Sequence, residues 1–204
     1  MNRQNIKWHD FTISKAQRST LKNQKPFIIW LTGLSGSGKS TIADQIDKAL
    51  HQRGFHTYLC DGDNIRSGIN SDLGFSDEDR QENIRRIAQI AKLFVDSGLI
   101  VICAFISPFA RDRQLARDLV LGDEFVEVFV DTPLEICAQR DPKNLYQKAK
   151  KGDIGNFTGI SSIYDKPVNP EIIVDGQNEL ETTTRQIISY LQKHQFLKQT
   201  HEAD

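Results

Sequence analysis

A glycine-rich loop between an apolar segment and an amphipathic helix constrains this chain more than any other feature. The apolar run Phe27–Leu31 is typical of a buried strand, and it leads into the loop GLSGSGKS at 33–40. Ile42, Ile46 and Leu50 then recur at helical spacing. The octet fits G-x-x-x-x-G-K-[ST], the pattern of a strand, loop and helix that hold nucleotide phosphates. A plain Gly/Ser turn is the alternative, and the flanking strand and helix argue against it.

Each fixed position of this loop has a physical role in holding a nucleoside triphosphate. Glycine allows positive φ angles and a close approach of backbone to phosphate, and the loop N–H groups and the helix start attract phosphate oxygens. Lys39 is expected to neutralise β- and γ-phosphate oxygens, and the Ser40 hydroxyl to reach Mg²⁺. The predicted ATP-binding residues of this segment are Gly33, Leu34, Ser35, Gly36, Ser37, Gly38, Lys39, Ser40 and Thr41.

Composition limits the domain organisation and the kinds of partner. At 204 residues the chain suits one domain with a sizeable core. Its 26 Lys and Arg residues nearly balance 27 Asp and Glu residues, which argues against a nucleic-acid-binding protein. The apolar run Leu99–Ile106 is well short of the roughly 20 residues needed to span a bilayer. We interpret Cys60, Cys103 and Cys137, which are widely spaced, as small buried hydrophobic residues.

The N-terminal segment is polar and mixed in charge. It lacks the apolar core of a secretory signal, so we expect a cytoplasmic protein whose chain begins near Met1. We divide the chain into an N-terminal arm, residues 1–25, and a P-loop domain, residues 26–204. Trp8 and His9 in the arm are expected to serve in packing and not in chemistry.

Polar residues also follow other predicted strands. The strand Phe55–Cys60 leads into Asp61 and Asp63, and the apolar run 99–106 leads into Ser107. In an open α/β sheet the carboxyl ends of the strands border the ligand crevice, so these side chains would lie beside the phosphate loop. Taken alone, an Asp-Gly turn that closes a strand explains the two carboxylates equally well. The phosphate loop upstream favours the functional interpretation.

Two further segments have both a functional and a structural explanation. Ser76 is expected to cap a helix on which Arg80 and Asn83 share a face, and spacing alone fits a solvated surface equally well. The segment Lys143–Lys166 is basic and then glycine-rich. We interpret it as a mobile lid over phosphates, approximately residues 142–166, with a solvated basic helix and loop as the alternative.

The order of the predicted elements indicates a three-layer α/β/α fold with a mainly parallel sheet and a lid. A phosphate loop alone leaves GTPases, ATPases and small-molecule kinases open. The chain has no Asn-Lys-x-Asp motif for guanine. Carboxylates after the second strand and a basic lid favour a P-loop kinase with a second, anionic substrate.

The sequence resembles the adenylyl-sulfate kinase (APS kinase) family. The matching segments are IKWH (6–9), WLTGLSGSGKST (30–41), DGDNIRSGINSDLGFSDEDRQENIRR (61–86), AFISPF (104–109) and RDPKNLYQKAKKGDIGNFTGI (140–160). They cover most of residues 6–174 in the right order, and together they are far more distinctive than the phosphate loop. The resemblance implies transfer of phosphate from ATP to the 3′-hydroxyl of adenylyl sulfate, which gives 3′-phosphoadenylyl sulfate and ADP in sulfate activation.

The resemblance also implies roles for individual residues. Asp63 is the candidate to orient or deprotonate the 3′-hydroxyl and, with Ser40, to join the metal network. Lys148 would reach the transferring phosphate, while Phe75 and Phe157 would sandwich the acceptor adenine. Further implied acceptor contacts are Asp61, Arg66, Asn70, Arg80, Asn83, Ile106, Ser107, Thr158, Gly159 and Ile160, and Arg140 is implied to stack on the ATP base. Forked guanidinium groups and aromatic faces suit phosphosulfate oxygens and purines.

Ser107 matches a serine that is commonly described as a phosphoserine intermediate in the family. We favour a binding role, because in-line transfer between two bound nucleotides needs no covalent relay. The departures from the family pattern are Asn144 in place of glycine, and Ser161 and Ile163 in place of Asp and Pro; they bear on the stiffness of the lid.

Two rival functions stay open at this point. One is a nucleoside, shikimate or gluconate kinase, and the other is a nucleotide-binding regulatory domain without turnover. The intact Lys39, Ser40 and Asp63 speak against the second. The resemblance also implies a homodimer and a functional link to ATP sulfurylase.

Overall fold

The computed structural model describes Lys7, His9 and residues 11–197, so the expected packing of Trp8 lies outside the described residues. A parallel five-stranded sheet has the order β2-β3-β1-β4-β5. Its strands are β1 Phe27–Thr32, β2 Thr57–Asp61, β3 Ile100–Ala104, β4 Phe125–Asp131 and β5 Ile172–Asp175. The sequence-based prediction of a mainly parallel sheet is confirmed.

Helices cover both faces of this sheet. The helices of the described residues are α1 Lys15–Lys22, α2 Lys39–His51, α3 Gly62–Arg66, α4 Asp77–Asp96, α5 Ala110–Arg117, α6 Leu134–Arg140, α7 Leu145–Lys151 and α8 Leu180–Lys193. Apolar residues of α2 and α8 form the core on one face, and those of α4 and α5 form it on the other. The predicted three-layer α/β/α fold is therefore confirmed. Among the described residues, none of the helices combines the length and the apolar character needed to cross a bilayer.

The central strand β1 explains why the chain carries continuous apolar runs. All of its residues are buried, because helices cover both faces of a parallel sheet. Successive side chains point to opposite faces, so Ile29 and Leu31 join the α2 and α8 core while Ile28 and Trp30 join the α4 and α5 core. Since the strands are parallel, the segments that follow them meet at one edge of the sheet.

The structure adds local detail to two segments. The residues after β2 form the short helix α3 and not a turn, because the Asp61 side chain caps it by accepting from the Asp63 N–H at 3.0 Å. The lid segment, residues 142–166, contains the helix α7, which ends at Gly152 with φ 82°. The basic helix that was held as an alternative is present, and the mobility of the lid stays a prediction.

The N-terminal cap of α4 has the predicted form. The Ser76 hydroxyl accepts from the Asp79 N–H at 3.1 Å, and the Asp79 carboxylate accepts from the Ser76 N–H at 3.4 Å. This reciprocal capping box fixes the start of a 20-residue helix. The capping box also fixes the first turns of α4 beside the carboxyl edge of the sheet. Arg80 and Asn83 lie in these turns.

Candidate active site

A cavity of about 900 Å³ lies at the carboxyl edge of the sheet. Its wall includes residues from the phosphate loop, from the segments after β2 and β3, from α4 and from the lid segment. The sequence-predicted residues that line it are Ser35, Gly36, Gly38, Lys39, Ser40, Thr41, Asp61, Asp63, Arg66, Phe75, Arg80, Asn83, Ile106, Ser107, Arg140, Phe157 and Thr158. The fold thus brings most of the candidate residues into one place.

Other predicted residues lie outside this cavity. Asn70 is buried and donates from Nδ2 to Oδ1 of Asn83 at 2.9 Å, so it supports a cavity residue. Lys148 is exposed on α7. The remaining predicted residues outside the lining are Gly33, Leu34, Ser37, Gly159 and Ile160, of which Leu34, Gly159 and Ile160 border a separate, open groove. Direct substrate contacts of all these residues stay predictions.

The phosphate loop has the conformation that its sequence requires. Gly33, Gly36 and Gly38 have φ angles of 154°, 75° and 106°. Lys39 is buried at the start of α2, and its Nζ donates to the Leu34 carbonyl at 2.7 Å. Burial lowers the pKa of Lys39 to about 8, against the opposing effect of nearby groups that include the Asp61 and Asp63 carboxylates. The loop therefore holds a cation in a largely desolvated position.

The acidic residues after β2 lie against the start of α2. The Ser40 hydroxyl donates to Oδ2 of Asp61 at 2.6 Å. The Asp63 carboxylate forms an ion pair with the lid residue Lys143, which sequence reasoning did not single out. Lys143 and Lys148 belong to the same basic run, so composition alone does not distinguish them, and the structure places Lys143 in the cavity wall.

Cationic and aromatic side chains form the wall opposite the phosphate loop. The guanidinium groups of Arg66 and Arg80 lie over the Phe75 ring, at 4.6 and 5.9 Å from its centroid. Arg80 also donates to the Phe75 carbonyl at 3.2 Å and to the Asn156 carbonyl of the lid at 2.7 Å. Arg80 and Asn83 are buried, which excludes the solvated surface that their spacing left open. Burial lowers the pKa of Arg80.

Ser107 is held in an unusual backbone conformation. Its φ angle is 39°, in the left-handed region that non-glycine residues rarely adopt. The buried hydroxyl accepts from Nε1 of Trp30 at 3.1 Å, and the carbonyl accepts from Nη1 of Arg113 at 2.8 Å. Arg113 is itself held by Oε1 of Glu127 at 2.8 Å. These buried contacts maintain the strained residue at the cavity edge.

One end of the cavity, against the phosphate loop, is formed by a segment that sequence analysis missed. Gly176, Asn178, Leu180 and Thr183 line this end, and Arg140 donates from Nη2 to the Gly176 carbonyl at 2.7 Å. A Cβ atom at Gly176 would lie 2.0 Å from Oγ1 of Thr132, so a side chain does not fit there. Thr132 follows β4 as Ser107 follows β3. Its position at the end of a strand was the sequence signal that could have indicated this part of the site.

The site combines a phosphate loop at the edge of a parallel sheet, carboxylates beside that loop, and a cavity wall of cationic and aromatic side chains. These features define a P-loop kinase of small molecules. The chain belongs to the adenylylsulphate kinase family, whose model matches residues 25–175. The family predicted from the sequence is thereby confirmed.

Similar proteins cover most of the chain. The adenylyl-sulfate kinase of Marinobacter nauticus is 56% identical over 195 residues, which are 95% of this chain and 98% of that protein. The bifunctional enzyme NodQ of Rhizobium meliloti is 60% identical over 168 residues, and these span only 26% of its length. The structure of the Mycobacterium tuberculosis APS kinase CysC in complex with AMPPNP and APS is 44% identical. It superposes with a TM-score of 0.79 over 83% of this chain and 99% of that one.

Proposed function

We propose that this chain transfers the γ-phosphate of ATP to the 3′-hydroxyl of adenylyl sulfate, giving 3′-phosphoadenylyl sulfate and ADP. This is the reaction of the family to which the chain belongs, and it agrees with the activity predicted from the sequence. The observation that carries the proposal is that one cavity joins the phosphate loop to the wall of Arg66, Phe75, Arg80 and Phe157. Two nucleotides can therefore meet there for in-line transfer.

The donor side of this cavity is assigned to ATP. Backbone N–H groups of the loop and the N-terminus of α2 would hold the phosphates. Lys39 would neutralise oxygens of the β- and γ-phosphates, and its buried position strengthens that interaction. Arg140, which donates to the Gly176 carbonyl and lies 3.4 Å from the Ser37 carbonyl, is proposed to stack on the ATP base.

The residues beside the loop fit Mg²⁺. The Ser40 hydroxyl and the Asp61 carboxylate are hard oxygen donors 2.6 Å apart, and Mg²⁺ is typically bound through few carboxylates together with substrate phosphates. When bound, the ion would neutralise charge on the phosphate oxygens. The sequence-based proposal paired Ser40 with Asp63; we now propose Ser40 and Asp61 as ligands, with Asp63 in the network through its N–H bond to Asp61.

Asp63 and Lys143 are assigned to the reacting end of the acceptor. The Asp63 carboxylate is the proposed group that orients or deprotonates the 3′-hydroxyl, because it lines the cavity next to the metal ligands. Its ion pair with Lys143 supports a second role, in which the ammonium group stabilises charge on the transferring phosphate. Lys148 stays a candidate for the same role.

The rest of the acceptor is assigned to the cationic and aromatic wall. Phe75 and Phe157 are proposed to hold the adenine between them, while Arg66, Arg80 and Asn83 bind the phosphosulfate. Phe75 is 58% exposed and Phe157 is 6% exposed, so the Phe75 face of the proposed sandwich is open before substrate binds. Stacking on these rings suits a purine acceptor better than a sugar acid.

Ser107 is assigned a binding role at this wall and not that of a covalent intermediate. Its hydroxyl is buried and already accepts from Trp30, and a phosphate group at this atom would carry its charge into a buried position. A Ser107→Ala variant that keeps most of its turnover would exclude an obligatory phosphoserine intermediate. Complete loss of turnover in a folded variant would favour the phosphoserine intermediate.

A coupled assay of ADP release tests the proposed function. Adenylyl sulfate should support rapid ADP release, and adenosine, shikimate and gluconate should support little. A Lys39→Ala variant measured in parallel controls for contaminating kinases. Equal use of adenosine or a sugar acid as acceptor would overturn the proposal.

The assembly and the cellular context are further proposals. We propose a homodimer, on the family resemblance, and light scattering on the purified chain tests it against a monomer. Adenylyl sulfate must come from an enzyme that joins sulfate to the AMP part of ATP, so a functional link to ATP sulfurylase is proposed as well. The cytoplasmic location expected from the sequence remains a prediction.

A further inference from the structure

Tyr146 on α7 contacts both sides of the cavity from behind its wall. It is 2% exposed, and its hydroxyl donates to the Ser35 carbonyl of the phosphate loop at 2.8 Å. Its ring packs edge-on against Phe157, with centroids 4.9 Å apart and planes at 80°. One side chain therefore joins the loop that would hold ATP to a ring that would hold the acceptor.

The hydroxyl contact bears on the direction of a loop N–H group. In a planar trans peptide the carbonyl and the following N–H point in opposite directions. When Tyr146 holds the Ser35 carbonyl, the Gly36 N–H is turned away from the lid side. Gly36 lines the cavity. The peptide between Ser35 and Gly36 is therefore oriented so that the Gly36 N–H can donate to a phosphate oxygen.

The next two carbonyls of the loop are also held by side chains from outside it. Thr132 donates from Oγ1 to the Ser37 carbonyl at 3.0 Å. Arg140 lies with Nη1 at 3.4 Å from the carbonyls of both Gly36 and Ser37. Three consecutive carbonyls, beginning at Ser35, thus accept from residues that follow β4 or belong to α6 and α7. This arrangement leaves the Gly36 N–H available to the phosphates, whereas the Ser37 N–H donates to the Leu34 carbonyl at 3.1 Å.

The loop has little room to shift at this point. A Cβ atom at Gly36 would lie 2.9 Å from the Cys137 carbonyl of α6, so helix and loop are in close contact. Cys137, Tyr146 and Phe157 form a small apolar cluster, and Leu34 of the loop packs against it. The loop and the lid segment therefore share a core that is separate from the two cores of the sheet.

The hydroxyl keeps its proton under ordinary conditions. Burial raises the pKa of Tyr146 above that of a free tyrosine, so the group acts as a hydrogen-bond donor to the carbonyl over the whole working pH range.

From these contacts we infer that Tyr146 is a positioning residue, whose hydroxyl sets the donor loop and whose ring sets the acceptor wall at Phe157. The acceptor half of this inference rests on the proposed function. The donor half requires only that the loop binds ATP.

Conservative variants at this position separate the two halves. Tyr146→Phe removes the hydroxyl and keeps the ring, whereas Tyr146→Met removes both and fills the space with a flexible apolar chain. Tyr164→Phe is the matched control, because it removes a hydroxyl that bonds the Thr32 side chain at 2.9 Å and not a loop carbonyl. Thermal melting of each variant reports whether it folds.

Calorimetric titration gives the decisive readout. Tyr146→Phe should bind a non-hydrolysable ATP analogue with Mg²⁺ about threefold to tenfold more weakly, the effect of one lost hydrogen bond, and should bind adenylyl sulfate within about twofold of the wild type. Tyr146→Met should weaken both ligands. Tyr164→Phe should leave affinity for the ATP analogue unchanged. A residue that acts only on folding would lower the melting temperature and the active fraction without changing either dissociation constant.

Each half can fail on its own. Wild-type affinity of Tyr146→Phe for the ATP analogue would overturn the donor half, and so would an equal loss in Tyr164→Phe. Wild-type affinity of Tyr146→Met for adenylyl sulfate would overturn the acceptor half. If the wild-type enzyme released no ADP with adenylyl sulfate, the proposed function would fail, and the titration with the ATP analogue would still decide the donor half.

Discussion

The proposed donor and acceptor sides of the cavity are built in different ways. The donor side comes mainly from one continuous segment, residues 33–41, in which Lys39 is buried and the loop carbonyls are held by neighbouring side chains. The acceptor side is assembled from the segments after β2 and β3, from α4 and from the lid, and its Phe75 ring is largely exposed. On the proposed assignment, the groups that would bind the ATP phosphates are therefore held in place before binding, and the acceptor wall is partly open.

This difference has a physical reason. A charged phosphate is best bound by dipoles and cations that need no rearrangement, because reorganisation would reduce the free energy of binding. An acceptor must enter and its product must leave, so one wall of its site has to open. Arg80 joins this wall to the lid, since it donates to the carbonyls of both Phe75 and Asn156.

The largest effect is expected from removing charge at the reacting centre. Lys39→Ala and Asp63→Ala should each lower turnover by at least about a hundredfold, because both groups act where charge develops during transfer. Steady-state kinetics with adenylyl sulfate measure this, with Lys92→Ala on the exposed face of α4 as a control. Near-wild-type turnover in either site variant would break the assigned mechanism.

A smaller effect should distinguish the two lid lysines. Lys143→Ala should lower kcat/KM for adenylyl sulfate by roughly tenfold to a hundredfold, the effect of a lost charged hydrogen bond, because Lys143 lines the cavity and pairs with Asp63. Lys148→Ala should change it by less than about threefold if the exposed position on α7 is kept during turnover. The opposite ranking would show that the lid rearranges to bring Lys148 inward.

Removal of the exposed Phe75 ring should affect only the binding of the acceptor. Phe75→Ala should raise KM for adenylyl sulfate by about threefold to tenfold, as expected for a lost stacking contact, and should leave KM for ATP unchanged. Because Phe75 is 58% exposed, the melting temperature should change little. An equal rise in both KM values would contradict the separation of the two sides.

The smallest predicted effect is a pH dependence of the donor side. The pKa of Lys39 is lowered to about 8, so the free enzyme loses this cation as the pH rises through that value, and kcat/KM for ATP should fall. Bound phosphate favours the charged amine, so kcat should fall only at higher pH. Profiles between about pH 7 and 9.5 test this, and a flat kcat/KM profile would contradict the pKa assignment.

The donor side was also the more predictable from sequence. Its strand, loop and helix follow one another, so local signals define them. The acceptor side depended on the family resemblance, because residues such as Arg66, Phe75 and Phe157 come together only when the chain folds. Spacing alone did not place Arg80 and Asn83 in the cavity.

The features that were missed depend on tertiary contacts. Lys143 and Lys148 lie in the same basic segment, and the path of the chain decides which one meets Asp63. Tyr146 looks like an ordinary buried aromatic residue until its partners are known. The helix α3 carried a readable signal, since Asp61 is a good helix cap, but the following Asp-Gly pair is equally typical of a turn.

The end of the cavity at Gly176 lies outside the residues that the family model matches. Gly176, Asn178, Leu180 and Thr183 lie beyond residue 175, where the match to the family model ends. The proposed surface for the donor base therefore includes residues outside that match. The tight contact at Gly176 limits the substitutions that this surface can accept, because that position admits no side chain.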